Sequence, residues 1–360
     1  MPEPLKNSYN ETYIAKLVDA LSRHQRGFKR KAFTAAVFDA YWESRELKAR
    51  MAHIRACMHQ FIDLPFEDAL HVLLPAAKDF GGYEAMFFPE YIEVYGQDHW
   101  SLSMDALALL TQYSSSEFAV RPFIQQDTER MMKQMHRWSE HENHHVRRLA
   151  SEGCRPRLPW ASALPAFKQD PAAIVPILTQ LRTDDSLYVR RSVANNLNDI
   201  AKDNPQVVLE WAQQHHGQSP LTDWIIKHAC RTLLKRADLK ALALFGYGDV
   251  SHIAISDFQI ENKTVSIGGD LKFAFQLSSQ QTELGRLRIE YAIDYMKANG
   301  RLARKIFKVS EADYEQHQLG FQRQQSLRPM STRKHYPGLH RLALLVNGVE
   351  LVQQDFELLA

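Results

Sequence analysis

Three kinds of side chain that act on charge stand close together between Val146 and Trp160, in the stretch VRRLASEGCRPRLPW. Its first eight residues have the spacing of an amphipathic helix. Val146, Leu149, Ala150 and Gly153 share one side, while Arg148, Glu152 and Arg155, at i, i+4 and i+7, form a polar stripe on another. A carboxylate among guanidiniums is by itself an ordinary solvated pair, contributing about 0.3–0.5 kcal/mol. The sequel is less ordinary. Arg155-Pro156-Arg157-Leu158-Pro159-Trp160 is a loop stiffened by two prolines, with cations that can hydrogen-bond phosphate oxygens and an indole held beside them. A plain interhelical turn needs none of these. The stretch reads as a device that grips an anionic backbone while presenting a carboxylate and an aromatic face to what is bound.

The pattern recurs. Val189-Arg190-Arg191 repeats Val146-Arg147-Arg148 after 43 residues, and Ile226-Lys227-His228 follows 37 later. In the second helix Val189, Val193 and Leu197 face inward, with Arg191, Asn195, Asn198 and Asp199 along the other side. A period of about 40 built of helix pairs marks a HEAT-like solenoid, whose units bury their apolar stripes against one another and line one groove with equivalent faces.

The elements that must position these residues follow from periodicity and punctuation. Residues 11 to about 240 show helical spacing, as in Tyr13, Leu17 and Leu21 or Phe33, Val37 and Tyr41. Breaks are expected at Leu64-Pro65, Asp79 to Gly82, Phe88-Pro89, Arg121-Pro122, Leu158-Pro159, Asp170-Pro171 and Asn204-Pro205. Phe87, Phe88 and Tyr91 are expected in the core. Beyond Phe245-Gly-Tyr-Gly248 the period changes to two. Leu271, Phe273, Phe275 and Leu277 alternate with polar or small residues, and Leu287, Ile289, Tyr291, Ile293 and Tyr295 do the same. Asn347-Gly348 between apolar alternations signals a tight hairpin. The fold class is mainly α: a HEAT-like helical-repeat solenoid over 1–247, then an all-β immunoglobulin-like sandwich over 253–360.

A formal net charge of +2 is too small to argue for a polyanionic partner, yet between Val146 and Lys240 fourteen lysines and arginines face nine acidic residues. The basic surface is therefore local. Cys57, Cys154 and Cys230 are odd in number and form no CxxC pair, which suits a reducing compartment. The N-terminus lacks a basic region followed by an apolar core, and no apolar run reaches the ~18 residues of a membrane span. A soluble, unprocessed, cytoplasmic protein is expected.

The strings SEGCRPRLPW at 151–160, VRRSVANNLNDIAKDNP at 189–205 and SSEFAVRPFI at 115–124 closely resemble the AlkC branch of the AlkC/AlkD-type DNA alkylation repair glycosylases. The resemblance extends over essentially the whole chain, since some AlkC members carry a C-terminal immunoglobulin-like domain. It implies a monofunctional glycosylase that hydrolyses the N-glycosidic bond of cationic methylated bases such as 3-methyladenine, working without flipping the base. It also implies a catalytic pocket of Glu152, Trp160, Asp199 and Glu117.

Elementary chemistry agrees. A base already positive at its alkylated ring is a good leaving group, so the task is to stabilise an oxocarbenium-like sugar and aim water at it, which carboxylates can do. Which of Glu152 and Asp199 does which stays open here. Trp160 would offer its face to the cationic base, a contact of ~0.5–2 kcal/mol that a neutral base forgoes. Arg148, Arg155, Arg157, Arg190, Arg191 and Lys227 are candidate phosphate contacts to double-stranded DNA. Basic patches at Arg286 with Arg288, and at Arg301, Arg304, Lys305 and Lys308, suggest that the β-domain clamps the duplex as well. No cofactor or metal is expected: no glycine-rich phosphate loop stands between strand and helix, and His141-Glu-Asn-His-His145 formally matches HExxH but sits where a turn and N-cap belong. A monomer is expected. The alternative is a noncatalytic HEAT-like scaffold binding nucleic acid or protein.

Overall fold

The computed structural model describes residues 3–329 and 334–360. It forms two compact units, one taking the chain to Asn204 together with His215–Ala229, the other taking Pro205–Gln214 and Cys230–Ala360.

The first unit is helical throughout. Pro65 precedes the helix Phe66–Ala77 and Pro122 stands at the start of Arg121–Gln126, as proline's fixed φ favours; Pro205 likewise opens Pro205–His215, nearly all of which belongs to the second unit. Phe88-Pro89 differs from expectation. Pro89 lies in the first turn of Phe87–Tyr95, where a missing N–H leaves no bond unmade. Phe87, Phe88 and Tyr91 are buried in the core. Toward the site, Thr128–Ser139 packs on His144–Glu152, which packs on Leu187–Ile200, which packs on Pro220–Ala229. Val146, Leu149 and Ala150 on one helix, and Val189, Val193 and Leu197 on the next, are fully buried in that stack.

The 43-residue repeat is visible at the level of single hydrogen bonds. Arg147 Nη1 donates to the carbonyls of His141 (3.0 Å) and Glu142 (2.7 Å), six and five residues back. Arg190 Nη1 does the same to Asp184 (2.6 Å) and Asp185 (2.9 Å). The N–H of Asn143 donates to His141 Nδ1 (2.9 Å), as that of Ser186 donates to Asp184 Oδ1 (2.8 Å). His141 is thus the turn-forming counterpart of an aspartate, in the bend before its helix. Asn143 is the N-cap, its side chain accepting from the His145 N–H at 2.8 Å. Ile226-Lys227-His228 departs from the register, falling in the last turn of its helix instead of the first.

Among the described residues of the second unit eight strands form two sheets: β1 (Ile253–Ile260), β2 (Thr264–Ser266), β3 (Asp270–Ser279), β4 (Gly285–Met296), β5 (Leu302–Tyr314), β6 (Gln318–Ser326), β7 (Gly338–Val346) and β8 (Val349–Leu359). Their orders are β1-β3-β6 and β2-β8-β7-β4-β5. The predicted alternation on β3 packs Phe273 and Phe275 into the shared core, Phe273 meeting Tyr291 of β4 edge-on at 5.0 Å. Asn347 (φ 47°) and Gly348 (φ 79°) make the expected two-residue hairpin between Val346 and Val349.

Two features of this unit depart from the sequence reading. Strand β4 is buried on both faces, since Arg288, Glu290, Ala292 and Asp294 are enclosed as well. Ala292 clusters with Ala343, Leu345, Ala237 and Ile306, and a Cβ on Gly348 would lie 2.5 Å from Leu242. The short helices Arg231–Lys235 and Leu239–Leu244 therefore cover this sheet and belong to its unit. The basic patches are also largely paired. Arg288 bonds Glu290 and Glu311, both at 2.8 Å, and Arg304 bonds Asp294 (2.8 Å) and Glu350 (2.7 Å). All three cysteines are buried free thiols. Among the described residues no helix is long and apolar enough to cross a membrane.

Candidate active site

The helix His144–Glu152 ends three residues before the last member of its polar stripe. Glu152 is its last residue and Gly153 its C-cap, so Arg155 stands in the following turn. Gly153 has ordinary helical φ but no room for a side chain: a Cβ there would lie 2.5 Å from Val120 and 3.0 Å from Met135. The glycine lets the helix end press against the segment that carries Glu117.

That close approach assembles one row of alternating charge. Glu117 accepts from Ser115 Oγ (2.8 Å) and pairs with Arg148 Nη1. Arg148 Nη2 reaches Glu152 Oε1 at 3.3 Å. The same oxygen accepts from Arg155 Nη1 at 2.6 Å, and Arg155 Nε donates to Asp199 Oδ2 at 2.8 Å. Lys202 closes the row on Asp199 Oδ1 at 2.9 Å. Three carboxylates from three segments are thus joined through two arginines, and the expected catalytic acids Glu117, Glu152 and Asp199 lie together.

The row is inside the protein. Glu152, Arg155 and Asp199 are buried and Glu117 and Arg148 half-buried, so the polar stripe of Arg148, Glu152 and Arg155 is paired within an enclosed network. Burial opposes the charge on Arg148, but Glu152 and Glu117 together hold its pKa above the ordinary guanidinium value. Arg155 behaves alike: burial acts downward, and Glu152 and Asp199 outweigh it. Isolated buried charges would be prohibitive, and alternation makes the row tolerable.

Asp199 has both oxygens engaged. Glu117 Oε1 and Glu152 Oε2 accept no hydrogen bond among the described residues. Trp160 is placed differently from the acids. It is 61% exposed, at the tip of the loop, with φ of 67°. An L-residue pays about 1–2 kcal/mol for that backbone, so something must hold it there. Lys48 Nζ donates to its carbonyl oxygen and lies 4.9 Å over the Phe118 ring.

The expected phosphate contacts divide by this geometry. Arg148 and Arg155 are committed to carboxylates. Arg190 is committed to the turn carbonyls described above. Arg157 is exposed but holds Asp203 in a two-point bond (2.6 and 2.8 Å), which lowers that carboxyl's pKa. Arg191 and Lys227 are exposed on neighbouring helices.

Sequence reasoning missed two residues here. Tyr188, in the first turn of Leu187–Ile200, lies 4.9 Å under the Arg148 guanidinium with its ring 43% exposed. It is one residue ahead of the repeated VRR triplet, and that position was its only signal. Arg121, inside the quoted SSEFAVRPFI string, is fully buried beneath the 153–162 loop.

Comparison with known proteins points one way. A family model described as DNA alkylation repair enzyme matches residues 110–233, the span holding every site residue named above except Lys48. A second, described as the C-terminal Ig-like domain of the uncharacterised protein YhaZ, matches 254–360. The chain is 44% identical over 354 residues to uncharacterized protein YhaZ of Bacillus subtilis (strain 168), covering 98% of this chain and 99% of that one. It is also similar to the alkylpurine DNA glycosylase AlkC of Pseudomonas fluorescens, solved bound to DNA containing an abasic site analog. The TM-score is 0.90 and the identity 37%, over 99% of this chain and 100% of that one.

Proposed function

We propose, from the premise that the chain belongs to the AlkC branch of the AlkC/AlkD-type DNA alkylation repair glycosylases, that it releases cationic alkylated bases from duplex DNA by hydrolysing their N-glycosidic bonds. 3-Methyladenine is the expected substrate, with 3-methylcytosine a further member of the same charge class. The observation that carries this reading is the row Glu117–Arg148–Glu152–Arg155–Asp199.

The base leaves with the bonding electrons and becomes neutral, while the sugar becomes positive. Fixed carboxylates in a site of low dielectric stabilise that positive charge without having to reorganise. The bridging arginines keep each acid in place and balance it, so the site waits without surplus charge until the sugar supplies one. The division of labour follows from the free oxygens. Asp199, clamped by Arg155 and Lys202, is a fixed negative charge. Glu152 Oε2 and Glu117 Oε1 are the acceptors that orient the attacking water and take its proton.

Trp160 supplies recognition. Its exposed face suits a positively charged ring better than a neutral one. Because it projects from the loop tip, it meets the duplex from outside, which fits a reaction on a base still stacked in the helix and not flipped into a pocket. Arg191, Lys227 and Arg157 are exposed, and as phosphate contacts they position the strand without reading sequence. The protein acts as a monomer, without cofactor or metal, in the cytoplasm.

The test is release of 3-methyladenine from an alkylated duplex by purified protein. Release should be lost in Glu152→Gln and Asp199→Asn while folding and binding of abasic-analogue DNA survive. Binding without release by the wild type would favour the noncatalytic scaffold.

A further inference from the structure

We propose that Arg121 is a positioning residue for this reaction: its buried guanidinium staples the two ends of the 153–162 loop together and thereby fixes the pose of Trp160. The proposal rests on the functional reading above.

Arg121 is the largest fully buried side chain among the described residues, 2% exposed. Its Nη1 donates to the carbonyls of Gly153 and Arg155, both at 3.0 Å, at the start of the loop. Nε (3.0 Å) and Nη2 (2.5 Å) both donate to the Ser162 carbonyl, two residues beyond Trp160. A planar fork with several fixed donors is suited to holding separate carbonyls at once, which lysine cannot reproduce.

None of these partners is a carboxylate. Burial lowers the Arg121 pKa to about 10, so it is still a cation at neutral pH. An enclosed cation that bonds no carboxylate destabilises a fold even with Glu117 and Asp199 near enough to favour its charge, and an apolar side chain of similar volume would serve packing better. The guanidinium is therefore explained by what it holds.

The loop needs holding. A cavity of about 180 Å³ lies beside its far end, lined by Ala161 and Ser162 together with Phe118, Lys48 and Arg121 itself, so at that end the loop is held by polar contacts from Arg121 and Lys48. Trp160 keeps a left-handed backbone that an indole does not adopt unaided. Arg121 also opens the helix that follows Glu117, so one short segment supplies a site acid and the staple for the opposite loop.

A double-mutant cycle tests this, using Arg121→Met, Arg121→Lys and Trp160→Ala in the full-length protein. The readouts are single-turnover release of 3-methyladenine and thermal melting. Because the staple acts through Trp160, its removal can cost no more than removal of the indole itself, so Arg121→Met should slow release by up to about 30-fold, with Arg121→Lys intermediate. In the Trp160→Ala background either change should slow release by less than about threefold further, while Tm falls equally in both backgrounds. That coupling in rate without coupling in Tm is what a merely structural arginine would not produce.

Equal losses of rate in both backgrounds, an undiminished rate in folded Arg121→Met, or failure of both variants to fold at every temperature tried would each overturn the proposal. A wild type that releases no base would instead sink the functional reading. The staple would then be judged by the resonance of a 5-fluorotryptophan at position 160, which should move in Arg121→Lys if the staple sets its pose.

Discussion

Replacing Glu152 by glutamine changes one oxygen to an amide and removes the charge at the centre of the row. In the native protein that side chain is 7% exposed and its Oε1 accepts from two arginines, at 3.3 and 2.6 Å. Stripping a buried ion of its partner typically costs about 3–5 kcal/mol. Here neither arginine is stripped, because Arg148 retains Glu117 and Arg155 retains Asp199. The destabilisation should accordingly be nearer about 2 kcal/mol, a fall of roughly 3 °C in Tm for a protein of this size. The effect on chemistry is larger. Losing a preorganised group aimed at transition-state charge costs about 10²–10³-fold in rate. Meanwhile the site gains one unit of positive charge, so affinity for abasic-analogue duplex should hold or tighten. Single-turnover base release, fluorescence anisotropy and calorimetry on the same preparation separate the three effects. A folded variant with a release rate within about threefold of wild type would refute the assignment, and weaker DNA binding with unchanged chemistry would show that Glu152 serves the interface instead.

Trp160→Ala should leave Tm nearly unchanged, because the ring is largely exposed, and slow release of cationic bases by about 2- to 30-fold, the span that ~0.5–2 kcal/mol of cation–π contact allows. Its effect on a neutral lesion, assayed in the same duplex, should be smaller. Arg191→Ala and Lys227→Ala should each weaken binding to damaged and undamaged duplexes alike, and lower the slope of log affinity against log salt by about 1, read from titrations at several salt concentrations. Glu93, beside Glu90 at the cavity behind the loop, has its pKa raised to about 7, chiefly by burial and then by the charge of Glu90. A folded value above the unfolded one means stability present below the unfolded pKa of about 4.5 and lost as pH rises through about 7. Glu93→Gln should flatten that loss and raise Tm at pH ~8.5 but not at pH ~4, with a ceiling near 3 kcal/mol, as pH-dependent melting would reveal.

Much of the site could be read from the chain because short-range spacing decides it. Helical periodicity put Val146 and Val189 inward, proline and glycine marked the loop, and the offset of 43 residues tied two helices into one repeat. The three acids were identified by resemblance, and the row explains why they meet. The burial of Arg148 and Arg155 was not visible, because helical spacing places a residue on a face without saying what covers it. Arg155 also stands outside the helix, which ends three residues before it, and the close approach of Val120 and Met135 leaves room only for glycine at 153. Arg121 was hidden for a related reason: its partners are backbone carbonyls, which carry no side-chain signature. In the β-unit, Arg288 of β4 was expected in a basic patch against the duplex, and only the packing of residues 231–244 explains the enclosure of that face.

The row of charges crosses from the turn at Glu117 through His144–Glu152 to Leu187–Ile200, so its links span the seam between successive repeats. Hydrophobic volume therefore acts as a spacer gauge for catalysis. Trimming Val193 or Leu149 by a methylene or two would let neighbouring helices settle closer and alter the separation of Glu152 from Asp199, detuning the enzyme from a position that never meets DNA.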